Sequence, residues 1–94
     1  MDTAEAAAVA ETRRDELRRL PYAQLVEQWL DQPRSEYATA ASGRRYNVEI
    51  EAIWDDKPQH NLRVWVTADD GGPSATRPLT RTFIVAPDGS FIDD

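Results

Sequence analysis

The hydrophobic positions along this chain change period once. Up to residue 32 they recur at helical spacing, and from residue 44 they alternate. The clearest helical stretch is PYAQLVEQWLDQ, where Tyr22, Leu25, Val26, Trp29 and Leu30 sit at i, i+3, i+4, i+7 and i+8 and Gln24, Glu27, Gln28 and Asp31 take the other side. It predicts a helix over about 21–32 whose apolar face, led by Leu25 and Trp29, covers a sheet. A first helix is expected over about 3–20. Asp2 followed by Glu5 is a variant of the capping box. Acids early (Asp2, Glu5) and arginines late (Arg18, Arg19) suit the macrodipole of one helix. Its apolar side, Ala6, Val9, Ala10, Leu17 and Leu20, is narrow and mostly alanine, so weak docking is expected, with fraying over 1–12. Arg13 falls on that side and is expected to lay its methylenes along it with the charged head in water. Pro21 either starts the second helix or kinks one longer helix.

Residues 33–43 read as a connection after Pro33, with Ser35 able to cap a short helical turn through Ala41 and Gly43 as its stop. A strand is expected over about 44–54, with Tyr46, Val48, Ile50, Ala52 and Trp54 on one face and Asn47, Glu49, Glu51 and Ile53 on the other. The loop DDKPQHN follows. The middle strand is 62–68, with Leu62, Val64, Val66 and Ala68 inward and Arg63, Trp65 and Thr67 outward. DDGGPSATRP (69–78) is a turn region. A third strand spans about 79–86, where Phe83, Ile84 and Val85 are contiguous, so alternation leaves their faces open. Pro87-Asp88-Gly89 makes a tight turn, and 90–92 adds a short fourth strand. Helices first, then consecutive strands, define a single α+β domain over 1–94: two N-terminal helices packed on an antiparallel meander of three to four strands.

Charge and composition narrow the function classes. The chain has 94 residues, no Cys, one His and a net charge of −6. Thiolate metal sites and disulfides are excluded. An acidic domain is a poor phosphate neutraliser, which argues against nucleic acid. No apolar run approaches the ~20 residues of a membrane span, and the N-terminus has the opposite polarity to a secretory signal. A cytoplasmic protein without cofactors is expected.

Four groups of side chains invite a chemical reading. In a meander, the loops at 55–61 and 87–90 share one end of the sheet, so Asp55, Asp56, His60 and Asp88 are candidates for a divalent-metal or small-ligand site. Their spacing matches no dedicated loop, and acids are ordinary turn residues. DDGG lacks the lysine and the strand–loop–helix context of a phosphate-binding loop. Glu49 and Glu51 share a strand face and resemble a carboxylate pair, though exposed faces commonly carry such residues. RRDELRR (13–19) can neutralise itself, Asp15 with Arg18 and Arg19 and Glu16 with Arg19. The sharpest oddity is Trp65, which points away from the core with Ile53 beside it and one of Phe83 or Ile84 nearby. Such an aromatic–aliphatic face is either covered, by the first helix or the 34–43 connection, or a surface for a protein partner, another protein or a second copy of this chain.

WDDKP (54–58), LRVWV with DDGG (62–72), Pro78-Leu79 and FIVAPDGSFI (83–92) together resemble small bacterial proteins of an uncharacterised, domain-of-unknown-function family, over roughly residues 43–92. The resemblance implies a compact domain of one or two helices and a meander. It implies no catalytic residues.

These readings converge on a non-enzymatic module for protein–protein contact, with Ile53, Arg63 and Trp65 as the candidate partner surface. The alternatives are an immunity-type protein that neutralises a basic toxin through acidic loops (Asp55, Asp56, Asp69, Asp70), and metal or small-ligand binding at the 55–60/88 end.

Overall fold

The computed structural model describes residues 2–71 and 78–92. Two helices, α1 (Thr3–Arg18) and α2 (Tyr22–Trp29), precede five strands: β1 (Arg34–Thr39), β2 (Arg45–Trp54), β3 (Leu62–Asp69), β4 (Leu79–Val85) and β5 (Phe91–Ile92). The strands form one antiparallel sheet in chain order, with β3 at its centre. The fold is thus α+β with the helices N-terminal, but the strands number five, not three to four.

The additional strand is β1. It occupies the segment expected to be a connection with a short helical turn. Small and polar residues there have weak preferences of their own, and pairing with β2 decides the outcome: the register runs from Arg34↔Ile50 to Thr39↔Arg45. Gly43 therefore serves a hairpin rather than a helix end. Its φ of 90° suits the turn, where its N–H donates to the Ala40 carbonyl at 2.9 Å and the Ala40 N–H donates to the Arg44 carbonyl at 2.8 Å.

Asp2 caps α1 as its spacing implies, its Oδ1 accepting from the Glu5 N–H at 3.0 Å. Glu5 does not complete the reciprocal box. Its carboxylate accepts from the Tyr46 hydroxyl at 2.8 Å and lies 3.9 Å from Arg44. Pro21 breaks the helices apart, taking the N-cap position of α2 with ψ 149°. α2 then ends at Trp29, short of the expected residue 32, because Leu30 leaves the helix to bridge Ala52 and the Asp31 N–H donates to the Ala52 carbonyl at 3.0 Å.

One core lies between the helices and one face of the sheet. Leu17, Leu25 and Trp29 meet Val48, Ile50, Ala52, Leu62, Val64, Val66, Phe83 and Val85 there. The weak docking expected of α1 is not what the structure shows. Ala6, Ala10 and Leu17 have no exposed surface, and α1 lies across β3 and β4 while α2 sits against β2. Alanine is the reason, since a side chain of one carbon lets the helix backbone approach the sheet closely. Length is the other. The eight residues of α2 extend about 12 Å, while the sixteen of α1 extend about 24 Å and can span a five-stranded sheet roughly 19 Å across. The head of Arg13 is likewise tied down, its Nε donating to Glu36 Oε1 on β1 at 2.6 Å.

This packing makes a contrast between two alanines of α1. Ala10→Leu should destabilise the domain by about 1–3 kcal/mol through overpacking, lowering the thermal midpoint by roughly 4–8 °C per kcal/mol. Ala8→Glu, at an exposed position, should stay within about 0.5 kcal/mol of the parent. Thermal unfolding followed by circular dichroism checks both.

Candidate functional site

Both helices cover the same face of the sheet, so the opposite face has no second layer among the described residues. Strand register specifies what it presents. Ile53, Arg63, Ile84 and Ile92 form one cross-strand row, and Glu51, Trp65 and Thr82 form the next. The three residues of the expected partner surface, Ile53, Arg63 and Trp65, are therefore neighbours on one face, and each is partly buried. The register also assigns the contiguous apolar run of β4. Phe83 and Val85 point to the core and Ile84 to the open face, where it is nonetheless only 3% exposed between Arg63 and Ile92.

Next to Trp65 the face dips into a depression of about 510 Å³, bordered by Ser35, Glu49, Glu51, Thr67 and Thr80. Its chemistry is an indole flanked by carboxylates and hydroxyls. Arg63 is held by a bond from its Nε to Asp55 Oδ1 at 2.8 Å, which orients its stem within the row. Glu49 and Glu51 are exposed, as a solvated strand face requires. Neither first helix nor 34–43 segment covers Trp65. The helix is on the other side, and the segment has become the edge strand of the same sheet.

The expected metal-ligating group does not assemble. Asp55 turns to Arg63. Asp56 serves its own loop: Oδ2 lies 2.6 Å from His60 Nδ1, and Oδ1 accepts from the N–H groups of Lys57 (2.8 Å) and Asn61 (3.1 Å). Asp88 stays in its turn, where Oδ1 accepts from the Ser90 N–H at 2.9 Å and the Ser90 hydroxyl at 2.6 Å. Among the described residues no group of three or more His, Cys, Asp or Glu side chains could hold a metal ion. At the opposite end, Asp69 accepts from the Gly71 N–H at 2.8 Å; the rest of the glycine-rich segment, 72–77, lies outside the described residues. Asp55 and Asp56 lie beyond one end of β3 and Asp69 and Asp70 at the other, with the roughly 23 Å length of that strand between them.

Two features were not anticipated. Tyr37, on edge strand β1, is 68% exposed and has the Arg45 guanidinium over its ring at 4.2 Å. The sequence carries little signal for it: the helix-facing side of β1 is Arg34-Glu36-Ala38 and the other Ser35-Tyr37-Thr39, which is no apolar–polar alternation. The basic run of α1 also pairs differently from expectation: Arg13 with Glu16 and Glu36, Arg14 with Asp15, and Arg18 over the Phe91 ring at 4.3 Å.

The 55–61 loop has an acid-sensitive lock. Partial desolvation pushes the Asp56 carboxyl up, but the hydrogen bonds from His60, Lys57 and Asn61 outweigh it and hold the carboxyl below its ordinary value. A depressed folded-state value stabilises the fold above the unfolded-state pKa, about 3.9 for Asp, and the benefit is lost as pH falls through the lower folded value. Asp56→Asn should therefore lower the thermal midpoint at pH 7, and the gap to the parent should shrink as pH falls below about 4. Thermal melts from pH 7 to pH 2 check it.

Compared with known proteins, the chain matches no family model, no curated protein and no solved structure.

Proposed function

We propose that this protein is a non-enzymatic protein–protein interaction module whose contact surface is the open sheet face around Ile53, Arg63 and Trp65. The observation that carries the reading is the one-sided cover: both helices pack on one face, leaving the row Ile53–Arg63–Ile84–Ile92 and the adjoining Trp65 without a second layer among the described residues. A tryptophan in a shallow, partly apolar setting is the kind of residue that anchors protein contacts. The flanking Glu49 and Glu51 favour a partner that brings basic groups beside an apolar anchor. The net charge of −6 weighs the same way, against nucleic acid as the partner.

A second reading, an immunity-type protein that neutralises a basic toxin, draws on the same carboxylates. Glu49 and Glu51 are exposed on the Trp65 face, whereas Asp55 and Asp56 are engaged within their own end of the sheet. On this reading the toxin meets the sheet face rather than the loops.

Trp65→Asp tests the surface. The variant should fold, with its thermal midpoint lowered by less than about 10 °C, and should lose affinity for a partner captured by the parent protein by at least about tenfold. Gln28→Asp, an exposed change on the helical side, should retain that partner. Affinity capture from the native cell with all three proteins makes the comparison. Equal capture by Trp65→Asp, or its failure to fold, would overturn the reading.

A further inference from the structure

The two edges of the sheet are unequal. One edge is β5, only two residues long. The other is β1, six residues in unbroken register with β2, with no proline and no lysine along it. Short length, lysine, proline and bulges are the usual devices that keep an edge from pairing. β1 has no proline, lysine or bulge, and its two charges are engaged within the chain, Arg34 by the Gln28 carbonyl and Glu36 by Arg13. Among the described residues no helix packs over β1: α1 stands back across a groove of about 540 Å³, walled by Ala4, Ala8 and Thr12 on one side and Ala38 and Ala40 on the other and bridged only by Arg13 reaching Glu36.

The direction of each backbone group along β1 follows from the hairpin. The Ala40 N–H donates to the Arg44 carbonyl. By the alternation of an antiparallel ladder, Arg34, Glu36 and Ala38 then bond to β2, while Ser35, Tyr37 and Thr39 turn their N–H and C=O groups outward. Tyr37, at 68% the most exposed large apolar side chain among the described residues, thus sits at the centre of three outward-facing residues.

We propose that β1 is a self-association edge, along which two copies of this chain pair antiparallel about a two-fold axis at Tyr37. That register sets Tyr37 opposite Tyr37, Ser35 opposite Thr39 and Glu36 opposite Ala38 of the second copy. All three outward residues of each copy then form paired ladder bonds, about six in total. Moving the register by one step in one direction sets Glu36 against Glu36, like charges in close opposition, and aligns Thr39 with Pro33, which has no N–H to give. The same step in the other direction carries Ser35 past the strand to Ala41, in the hairpin turn, and loses ladder bonds. The favoured register is therefore selected by charge and bond count together. It joins the two sheets into one of ten strands, with the helices of both copies on the same side and the Trp65 faces continuous on the other. The inference is independent of the proposed use of the Trp65 face.

Sedimentation equilibrium on the full chain tests it, with Tyr37→Lys and Thr39→Pro as probes. The proline removes an outward N–H and leaves the β1–β2 ladder intact. The parent should sediment as a dimer at high concentration, and each variant that remains folded by circular dichroism should weaken self-association by at least about tenfold. Trp65→Asp should leave it unchanged. A parent that stays monomeric up to millimolar concentration overturns the proposal. So does a dimer that persists in folded Tyr37→Lys, or one that is abolished in folded Trp65→Asp.

Discussion

The close approach of α1 to the central strands is the contact on which the rest of the molecule depends. Leu62, Val64, Val66 and Ala68 of β3 are fully buried beneath it, and each large side chain so buried contributes roughly 1.5–3 kcal/mol. Ala6 and Ala10 set the distance and Leu17 fills the far end. Polar contacts then hold the helix in register with the sheet. Tyr46, whose hydroxyl is pushed up in pKa by burial and then by its bond to Glu5, ties the N-terminal end to β2. Arg13 ties the middle to β1 through Glu36, and Glu11 approaches Arg81 of β4 at 3.7 Å. α2 completes the cover. Trp29 closes the core with the Arg34 guanidinium over its ring at 3.7 Å, and the Tyr22 hydroxyl donates to the His60 carbonyl at 2.6 Å, which joins α2 to the β2–β3 loop.

Among the described residues the helices cover one face of the sheet only. With Ile53, Trp65 and Ile84 on the other, that second face is not a simple polar one. Ile84 is nearly buried without a helix above it, shielded within a row of neighbouring side chains. The face is thus partly self-covered, with the indole of Trp65 left beside open carboxylates. The same economy shapes the edges. The C-terminal edge closes with a two-residue strand backed by the Phe83–Phe91 edge-to-face contact, centroids 5.9 Å apart, while the N-terminal edge runs the full length of β1.

The acidic loops illustrate how local chemistry can absorb residues that look functional. Asp56, Asp69 and Asp88 each accept backbone N–H groups of their own turns, which is what short carboxylates do where a chain reverses. Asp55 is taken by Arg63 from the neighbouring strand. Carboxylates so engaged shape the loops and do not converge on a common centre, even though two of the loops share one end of the sheet.

Much of this was legible in the residues. Alternation over Tyr46–Trp54 and Leu62–Ala68 determined two strands and their inward faces, because a period of two leaves little freedom when one side is apolar. Heptad-like spacing in Tyr22–Leu30 determined the second helix, and Asp2 the start of the first. Ile53, Arg63 and Trp65, the residues of the proposed contact surface, were placed on one face by the same arithmetic, without any contact being known. Three matters needed the tertiary structure. β1 has too weak a local preference to declare itself, and only its pairing with β2 makes it a strand. The contiguous Phe83-Ile84-Val85 carries no alternation, so its faces were assigned by register with β3. The importance of α1 was hidden because alanine contributes little burial on its own; its value lies in how closely it lets a backbone approach, and that depends on the surface it meets.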